Sequence, residues 1–246
     1  MSDILKRTAA RLPNRWQQQL KRILFGFQIR GGRFYTSEPE YAFLSRLISP
    51  GDWVLDIGAN VGHYTIRFSE LVHRDGRVFA FEPVPETFEL LAANTALTEL
   101  NNITLINAAA SDSVGLVGMK IPQFDTGLDN YYMAHTAIDE YRFRALQIPV
   151  DSLALPHSIR LAKIDTEGNE LLVLRGMVEL LRRDHPLLIV EDNVAEAVTF
   201  LDELGYSTIK IKGSSNRIFC YGVAAHEAVS LLVGSEISYR NVAYVK

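Results

Sequence analysis

The segment of residues 53–72 constrains the fold of this chain more than any other. A short apolar run, Trp53–Ile57, leads into a turn with two glycines, Gly58 and Gly62, and a helical pattern follows. A strand, a glycine turn and a helix form the first part of a crossover unit, which buries its strand in a parallel sheet. The segment therefore predicts an α/β fold that binds a ligand at the carboxyl end of this strand.

Apolar runs and helical patterns alternate along the chain after this segment, and no internal repeat recurs. The predicted strands are Trp53–Ile57, Arg77–Phe81, Ile103–Asn107, Leu161–Ile164, Leu187–Val190, Thr208–Lys212 and Ile218–Val223. The predicted helices are His63–Val72, Thr87–Leu97, Asn169–Arg183 and Ala195–Leu204. Strands separated by helices pair in parallel, so we predict a Rossmann-like, doubly wound, mainly parallel seven-stranded sheet with helices on both faces.

Composition excludes several classes of protein. Of the 246 residues, 48% are hydrophobic and 22% charged, which is typical of a globular chain and not of a disordered one. The apolar runs are too short to span a bilayer, and the first residues lack the apolar core of a secretory signal. The single cysteine, Cys220, excludes a disulfide framework and a Cys-rich metal site. We therefore expect a cytoplasmic protein with one large α/β domain.

The first 36 residues differ from the rest in charge. They carry eight basic side chains and one acid, although the whole chain has a formal net charge of −4. Apolar residues spaced by three and four predict an amphipathic helix over residues 3–27, divided by Pro13. We favour packing of this basic helical extension, residues 1–36, on the main domain of residues 37–246. The alternative is peripheral contact with an anionic membrane, whereas nothing indicates nucleic-acid binding.

The stretch of residues 118–144 has no clean periodicity. It is rich in aromatic and polar residues, including Phe124, Tyr131, Tyr132 and His135. A long insertion of this kind between strands of a sheet is typically a functional loop. We expect it to shape a substrate site, and the alternative is a purely structural covering loop.

The glycine turn has the features of a nucleotide-cofactor site. Gly58 permits close approach of a ligand to the backbone, and Gly62 lets the helix start pack against the strand. Glu82 follows the second strand, where a carboxylate binds the two hydroxyls of a ribose. Asp56 sits at the end of the first strand, where it can accept from an ammonium group. A nicotinamide enzyme would show G-x-G-x-x-G. This turn instead reads D-x-G-x-N-x-G, which resembles the first motif of S-adenosylmethionine-dependent methyltransferases of the Rossmann-like class.

A second group of acids follows the strand that ends at Ile164. The sequence K-I-D-T-E-G-N-E places Asp165, Glu167 and Glu170 within six residues. Idle carboxylates so close together repel one another, so each is expected to have a partner. Asp165 is placed to face the cofactor, Glu167 can reach a substrate hydroxyl, and Glu170 either caps the next helix or takes part in function.

Several motifs in order make the chain resemble the FkbM family of methyltransferases. They are D-x-G-A-N-V-G-x-Y-T, F-E-P, N-A-A, I-P-V-D-S-L, K-I-D-T-E-G-N-E with L-R-G, and R-N-V near the end. The resemblance covers about residues 38–246 and implies S-adenosylmethionine-dependent O-methylation by the domain of residues 37–246. It implies a hydroxyl-bearing acceptor, a sugar in a glycan or glycolipid first and a polyketide or other secondary metabolite second.

The motif match also assigns candidate cofactor-binding residues. They are Glu38, Asp56, Gly58, Ala59, Asn60, Gly62, Tyr64, Thr65, Glu82, Pro83, Asn107, Ala108 and Asp165. Because an alcohol is a poor nucleophile while protonated, a general base is expected near the acceptor. The candidates, in order, are Glu167, Asp165 and His135. For His63, at the helix start, packing is the favoured role.

One alternative involves a metal. Glu191, Asp192 and Asn193 end the predicted fifth strand, next to the strand that precedes Asp165. Oxygen ligands of this type suit Mg²⁺, which could activate the acceptor hydroxyl. We favour a solvated strand end, or a helix cap at Asn193, and no metal.

A third class of function, besides the two kinds of O-methyltransferase, is a non-enzymatic cofactor-binding or membrane-docking module. The acids around Asp165 argue against it. The sequence sets neither the acceptor nor the oligomeric state.

Overall fold

Eleven strands lie in the part of the chain that the structure, a computed structural model, describes, namely residues 12–191, 195–222, 227, 229 and 230. In chain order they are β1 (Trp53–Ile57), β2 (Arg77–Phe81), β3 (Ile103–Ile106), β4 (Ala109–Ala110), β5 (Gly115–Lys120), β6 (His135–Ala137), β7 (Phe143–Ile148), β8 (Ile159–Ile164), β9 (Leu187–Glu191), β10 (Tyr206–Lys210) and β11 (Asn216–Tyr221). Seven of them form the main sheet, in the order β10-β11-β9-β8-β1-β2-β3. The predicted fold class is therefore confirmed.

The helices within these residues lie on both faces of the main sheet. They are α1 (Asn14–Arg30), α2 (Leu44–Leu47), α3 (His63–Val72), α4 (Pro85–Thr95), α5 (Glu170–Arg175), α6 (Val178–Asp184) and α7 (Ala195–Glu203), with short 3₁₀ turns at Pro39–Phe43, Tyr131–Met133 and Val150–Leu153. Side chains of β1 alternate between two cores: Leu55 and Ile57 pack with α5, α6 and α7, whereas Val54 packs with α2 and α3. This alternation is the physical basis of the continuous apolar strand.

Pairing within the main sheet is parallel from β9 to β3. Strand β11 runs antiparallel to both β9 and β10. Parallel pairing brings the carboxyl ends of β1, β2, β8 and β9 to one edge of the sheet, which is where Glu82, Asp165 and Glu191 lie. The fold thus gathers the predicted site residues at a single edge.

The largest difference from the sequence prediction is a second sheet. The stretch without periodicity contributes β5, β6 and β7 to a four-stranded sheet in the order β4-β7-β5-β6, with β5 antiparallel to β6 and to β7. One face of this small sheet is exposed, as at Leu116, while Met119 and Ala145 are buried with Val84 and Tyr131. Hydrophobic residues on both faces obscure the alternation that marks a strand.

Other predicted bounds were wrong by a few residues, and one predicted helix is two. The stretch Asn169–Arg183 divides into α5 and α6 around Gly176, where a Cβ would lie 1.8 Å from the backbone oxygen of Ser111. Only a glycine fits at this close approach of the two backbones. Helix α4 begins two residues earlier than predicted, β8, β10 and β11 also begin two residues earlier, and β3 ends one residue earlier.

Helix α1 begins directly after Pro13, and residues 1–11 of the predicted extension lie outside the described residues. The helix packs on α4, and Phe25 and Ile29 contact a cluster that includes Phe34 and Leu90. None of the helices within the described residues combines the length and apolarity needed to cross a lipid bilayer.

Candidate functional site

The turn after β1 requires glycine at two positions. Gly58 has φ +85°, and a Cβ there would lie 1.8 Å from the backbone oxygen of Asp165. Gly62 has φ +96°, and its Cβ would lie 2.7 Å from the Leu91 side chain. The N–H groups of Gly58 and Ala59 donate to the backbone oxygen of Phe81, at 3.1 and 2.9 Å. The turn is thus held tightly between β2 and β8.

Glu82 is a buried acid at the end of β2, with 5% of its surface exposed. Its carboxylate accepts hydrogen bonds from the backbone N–H groups of Asn60 and Val84, both at 2.9 Å. Burial raises the pKa of Glu82 to about 7, although these two hydrogen bonds favour the ionised form. The Asn107 amide donates to the backbone oxygen of Glu82 at 2.8 Å. Each carboxylate oxygen keeps a lone pair for a ligand hydroxyl.

Lys163 is a buried cation among acids, and the sequence analysis assigned it no role. The register of the sheet pairs Lys163 with Asp56, and its ammonium lies 2.6 Å from the Asp165 carboxylate. Burial lowers the pKa of Lys163, but the charges of Asp165, Asp56 and Glu38 outweigh burial and raise it above the usual value. The sequence signal for this residue is a lysine between two apolar residues, Ala162 and Ile164, of a buried strand.

The acids near Lys163 are themselves held in place. Thr65 donates to Asp56, and burial raises the pKa of Asp56 to about 6 against the opposing charge of Lys163. The Tyr64 hydroxyl lies 2.5 Å from Glu38 and 3.1 Å from Glu40, and a phenol can donate to only one of them at a time. Tyr64 and Thr65 therefore position acids.

Glu40 is a second residue that the sequence analysis missed. It is fully buried and accepts hydrogen bonds from Ser214, at 2.6 Å, and from the Asn216 amide. These bonds tie the segment before β1 to the start of β11. A glutamate between Pro39 and Tyr41 gave no sign of burial in the sequence, because Ser214 and Asn216 lie more than 170 residues away.

The loop after β8 is organised by Glu170. This buried side chain accepts from the N–H and hydroxyl of Thr166, both at 2.9 Å, and from the N–H of Gly168. Of the two roles considered for Glu170, the geometry favours the structural one. Glu167 at the loop tip has φ +53°, and burial followed by the charge of Asp165 raises its pKa. Such a carboxyl is a stronger base than an exposed one.

One cavity joins the glycine turn to this loop and to the inserted sheet. It encloses about 530 Å³, part of it open to solvent. The residues that line it are Ile57, Gly58, Asn60, Phe81, Glu82, Pro83, Val84, Ala108, Ala109, Ala110, Met119, Tyr131, Tyr132, Ala134, Thr136, Asp165, Thr166, Glu167 and Asn169. The inserted stretch thus forms one wall, as expected for a functional segment.

The predicted cofactor-binding residues fall into two sets. Those that line the cavity are Gly58, Asn60, Glu82, Pro83, Ala108 and Asp165, and the others are Glu38, Asp56, Ala59, Gly62, Tyr64, Thr65 and Asn107. Most of the second set supports the wall or the Lys163 network. His135 lies close enough to Glu167 for its charge to affect that carboxyl. His63 stacks on Phe34 with ring centroids 4.2 Å apart, and burial lowers its pKa to about 4, so it packs as favoured.

Three carboxylates meet at the edge between β8 and β9. Oxygen atoms of Asp165, Glu167 and Glu191 all lie within 4.8 Å of one another. Burial and the neighbouring acids raise the pKa of Glu191 to about 8. Asp192 and Asn193, the other parts of the alternative Mg²⁺ site, lie outside the described residues, as does Arg240–Val242. The magnesium alternative stays a prediction.

A seven-stranded α/β sheet with a glycine turn, a buried acid after β2 and a cavity at the strand ends defines the class of Rossmann-like methyltransferase folds. A crystal structure of the methyltransferase FkbM from Methylobacillus flagellatus shares this fold, with a TM-score of 0.50 and 17% identity. That alignment covers 88% of this chain and 58% of the other.

Sequence comparison gives the family. The methyltransferase FkbM domain matches residues 56–208. The 31-O-demethyl-FK506 methyltransferase FkbM of Streptomyces tacrolimicus is 30% identical over 124 residues, which is 50% of this chain and 46% of that protein. The match therefore spans about half the length of this relative. The chain belongs to the FkbM methyltransferase family, as the motifs predicted.

Proposed function

We propose that the protein transfers a methyl group from S-adenosylmethionine to a hydroxyl group, first of all one on a sugar of a glycan or glycolipid. The observation that carries the proposal is one cavity that is lined by Glu82 and the glycine turn and also by Asp165 and Glu167. A site for the nucleoside of the cofactor and a site for an acceptor hydroxyl are thereby joined.

Glu82, the glycine turn and the acids that lie behind the cavity wall suit S-adenosylmethionine. Glu82 is a buried hydrogen-bond acceptor whose pKa is raised to about 7. Two ribose hydroxyls that donate to its carboxylate lower this pKa and so favour the ionised form. The left-handed Gly58 lets a ligand approach the backbone. Asp56 and Glu38, held by Thr65 and Tyr64, are acids for the ammonium of the cofactor's amino-acid part.

Asp165 and Glu167, which also line the cavity, suit deprotonation of an alcohol. S-adenosylmethionine, when bound, supplies a methyl group already activated on a sulfonium. Asp165 is engaged by the Lys163 ammonium at 2.6 Å, and it can orient the acceptor hydroxyl. Glu167, with its raised pKa, accepts the proton of that hydroxyl as the general base. His135 lies near Glu167, and a positive charge on His135 would lower the pKa of the Glu167 carboxyl.

Two acceptor classes are supported by different observations. Carboxylates of Asp165 and Glu167 together with Tyr131 and Tyr132 provide acceptors and aromatic faces that suit a polyhydroxylated sugar ring. The name of the Streptomyces relative indicates a secondary-metabolite hydroxyl, and this is the second candidate. The proposal needs no metal, because Lys163 already supplies positive charge beside Asp165.

Methyl transfer from labelled S-adenosylmethionine to panels of sugar, glycolipid and polyketide acceptors tests this function. Glu167→Gln should lower kcat roughly 10²–10⁴-fold with unchanged cofactor binding, because only the base is lost. Glu140→Gln is the matched control, since Glu140 also has a positive φ, +54°, but lies exposed in the insertion. Full activity of Glu167→Gln would contradict its role as base, and loss of activity with a chelator would favour the magnesium alternative.

A further inference from the structure

Helix α1 has two apolar faces, and only one of them packs on the domain. Phe25 and Ile29 contact the cluster beneath the helix. The other face carries large apolar side chains that are about half exposed or more: Trp16 (55%), Leu20 (51%), Ile23 (57%), Leu24 (49%) and Phe27 (68%). Their spacing of three and four residues places them on one side of the helix. A continuous exposed stripe of this kind marks an interaction surface.

The charges around this stripe select its partner. Arg15, Arg22 and Arg30 are exposed on the same helix, which contains no acidic residue. Two copies of such a cationic surface would repel each other if they met face to face. A helix with apolar and basic side chains and a tryptophan fits the interface of a membrane that carries anionic lipids.

We propose that the exposed stripe of α1 docks on an anionic membrane surface. The helix lies in the plane of the interface, with Trp16, Ile23 and Phe27 among the acyl chains and the arginines at the phosphates. Docking of this kind needs no residue of the cavity, so the proposal stands independently of the chemistry proposed there.

The helix that carries the stripe also contacts the cavity wall. The Lys21 ammonium lies 4.9 Å from the ring centre of Tyr131, which lines the cavity wall. Tyr132 and Met133, next in the same turn, are 53% and 47% exposed. If the proposed function holds, docking through α1 places this aromatic rim close to the layer in which the hydroxyls of a glycolipid lie.

Vesicle co-sedimentation of the full chain tests the docking. Wild type should bind phosphatidylcholine vesicles that contain phosphatidylglycerol, and raised salt should weaken the binding. Ile23→Glu with Phe27→Glu should lower the apparent partition coefficient at least about tenfold, because two inserted side chains are lost. The control is Val114→Glu with Leu116→Glu, which adds the same charge at sites 71% and 66% exposed elsewhere. This control should bind like wild type.

Tryptophan fluorescence gives a second readout on the unaltered protein. Trp16 is exposed, whereas Trp53 packs against the core, so anionic vesicles should shift the emission of Trp16 to shorter wavelength. Equal binding to neutral and anionic vesicles, or equal losses in both double variants, would overturn the proposal. So would a wild type that binds no vesicles but sediments as a dimer that Ile23→Glu with Phe27→Glu dissociates, which would assign the stripe to a second copy.

Discussion

The two walls of the cavity are built in different ways. The wall at the ends of β1, β2 and β8 is built on buried groups: Glu82 lines it, and Lys163 and Asp56 lie behind it, each no more than 5% exposed. The wall from the inserted stretch combines the buried Met119 and Tyr131 with the exposed Tyr132, and the charged pair Lys120 and Glu140 of that stretch is exposed. Packing restricts the side chains of the first wall, so substitutions there should lower stability. Substitutions of exposed side chains in the second wall should cost little stability. This contrast suits a site with an invariant cofactor and a variable acceptor.

Alanine at matched glycines tests the contrast most strongly. Gly58 and Gly127 both have positive φ, +85° and +79°, but only at Gly58 would the new Cβ meet backbone, whereas at Gly127 nothing lies within 4 Å. Gly58→Ala should lower the free energy of unfolding by more than about 4 kcal/mol or prevent folding. Gly127→Ala should cost only about 1–2 kcal/mol. Denaturant unfolding measures the free energy of unfolding of both variants. Equal losses would contradict the difference between the two walls.

Removing one cation from each wall should give the next largest difference. Lys163→Met leaves Asp165 and Asp56 without their partner in a buried setting, so the free energy of unfolding should fall by roughly 3 kcal/mol at neutral pH. Lys120→Met breaks an exposed pair with a distance of 3.3 Å, which should cost less than about 1 kcal/mol. The difference should shrink in acid, where the carboxyls protonate, and a Lys163 variant as stable as wild type would contradict the account.

The pH dependence of stability should separate the walls more finely. The folded pKa values of Glu82, about 7, and Glu191, about 8, lie above the ordinary 4.5, so the folded state holds protons that the unfolded state has released. Stability should therefore fall as pH rises from about 6.5 to 8. His63 acts in the opposite direction: its folded pKa of about 4 lies below the unfolded value of 6.5, so it makes stability rise with pH between these values. This contribution ends near pH 6.5.

Variants assign this slope to one wall. Glu82→Gln should remove a loss of Tm between about pH 4.5 and 7, where the folded protein keeps the Glu82 proton and the unfolded chain has released it. In the insertion, burial favours a raised pKa for Asp129, but hydrogen bonds from Arg142 and Gln123 hold it below the usual value. Asp129→Asn should therefore lower Tm by a similar amount across this range. A steeper slope in Glu82→Gln would contradict the burial argument.

The sequence predicted one wall well because its information is local. The bounds of β1, β2 and α3 match the prediction, since a buried strand, a glycine turn and a helix each have a short-range signature. The acids Glu82, Asp165 and Glu167 could be placed at the sheet edge from parallel pairing alone.

Side-chain networks and the inserted sheet could not be predicted in this way. Lys163 meets Asp56 only through the pairing of strands more than 100 residues apart, and Glu40 meets Asn216 across most of the chain. Strands β5 and β7 carry hydrophobic residues on both faces, which obscures the alternation, and β4 has only two residues. Tertiary contacts, rather than local propensity, determine these parts.

Isothermal calorimetry with S-adenosylmethionine tests the central claim, that the buried wall is a cofactor site centred on Glu82. We expect S-adenosylmethionine to bind wild type in the micromolar range. In Glu82→Gln the binding free energy should weaken by about 1–3 kcal/mol, because the amide can no longer accept from both ribose hydroxyls. Glu86 lies on α4 and pairs with Arg142. Glu86→Gln should therefore bind S-adenosylmethionine like wild type. Absence of binding to wild type, or equal affinity in Glu82→Gln, would contradict the account.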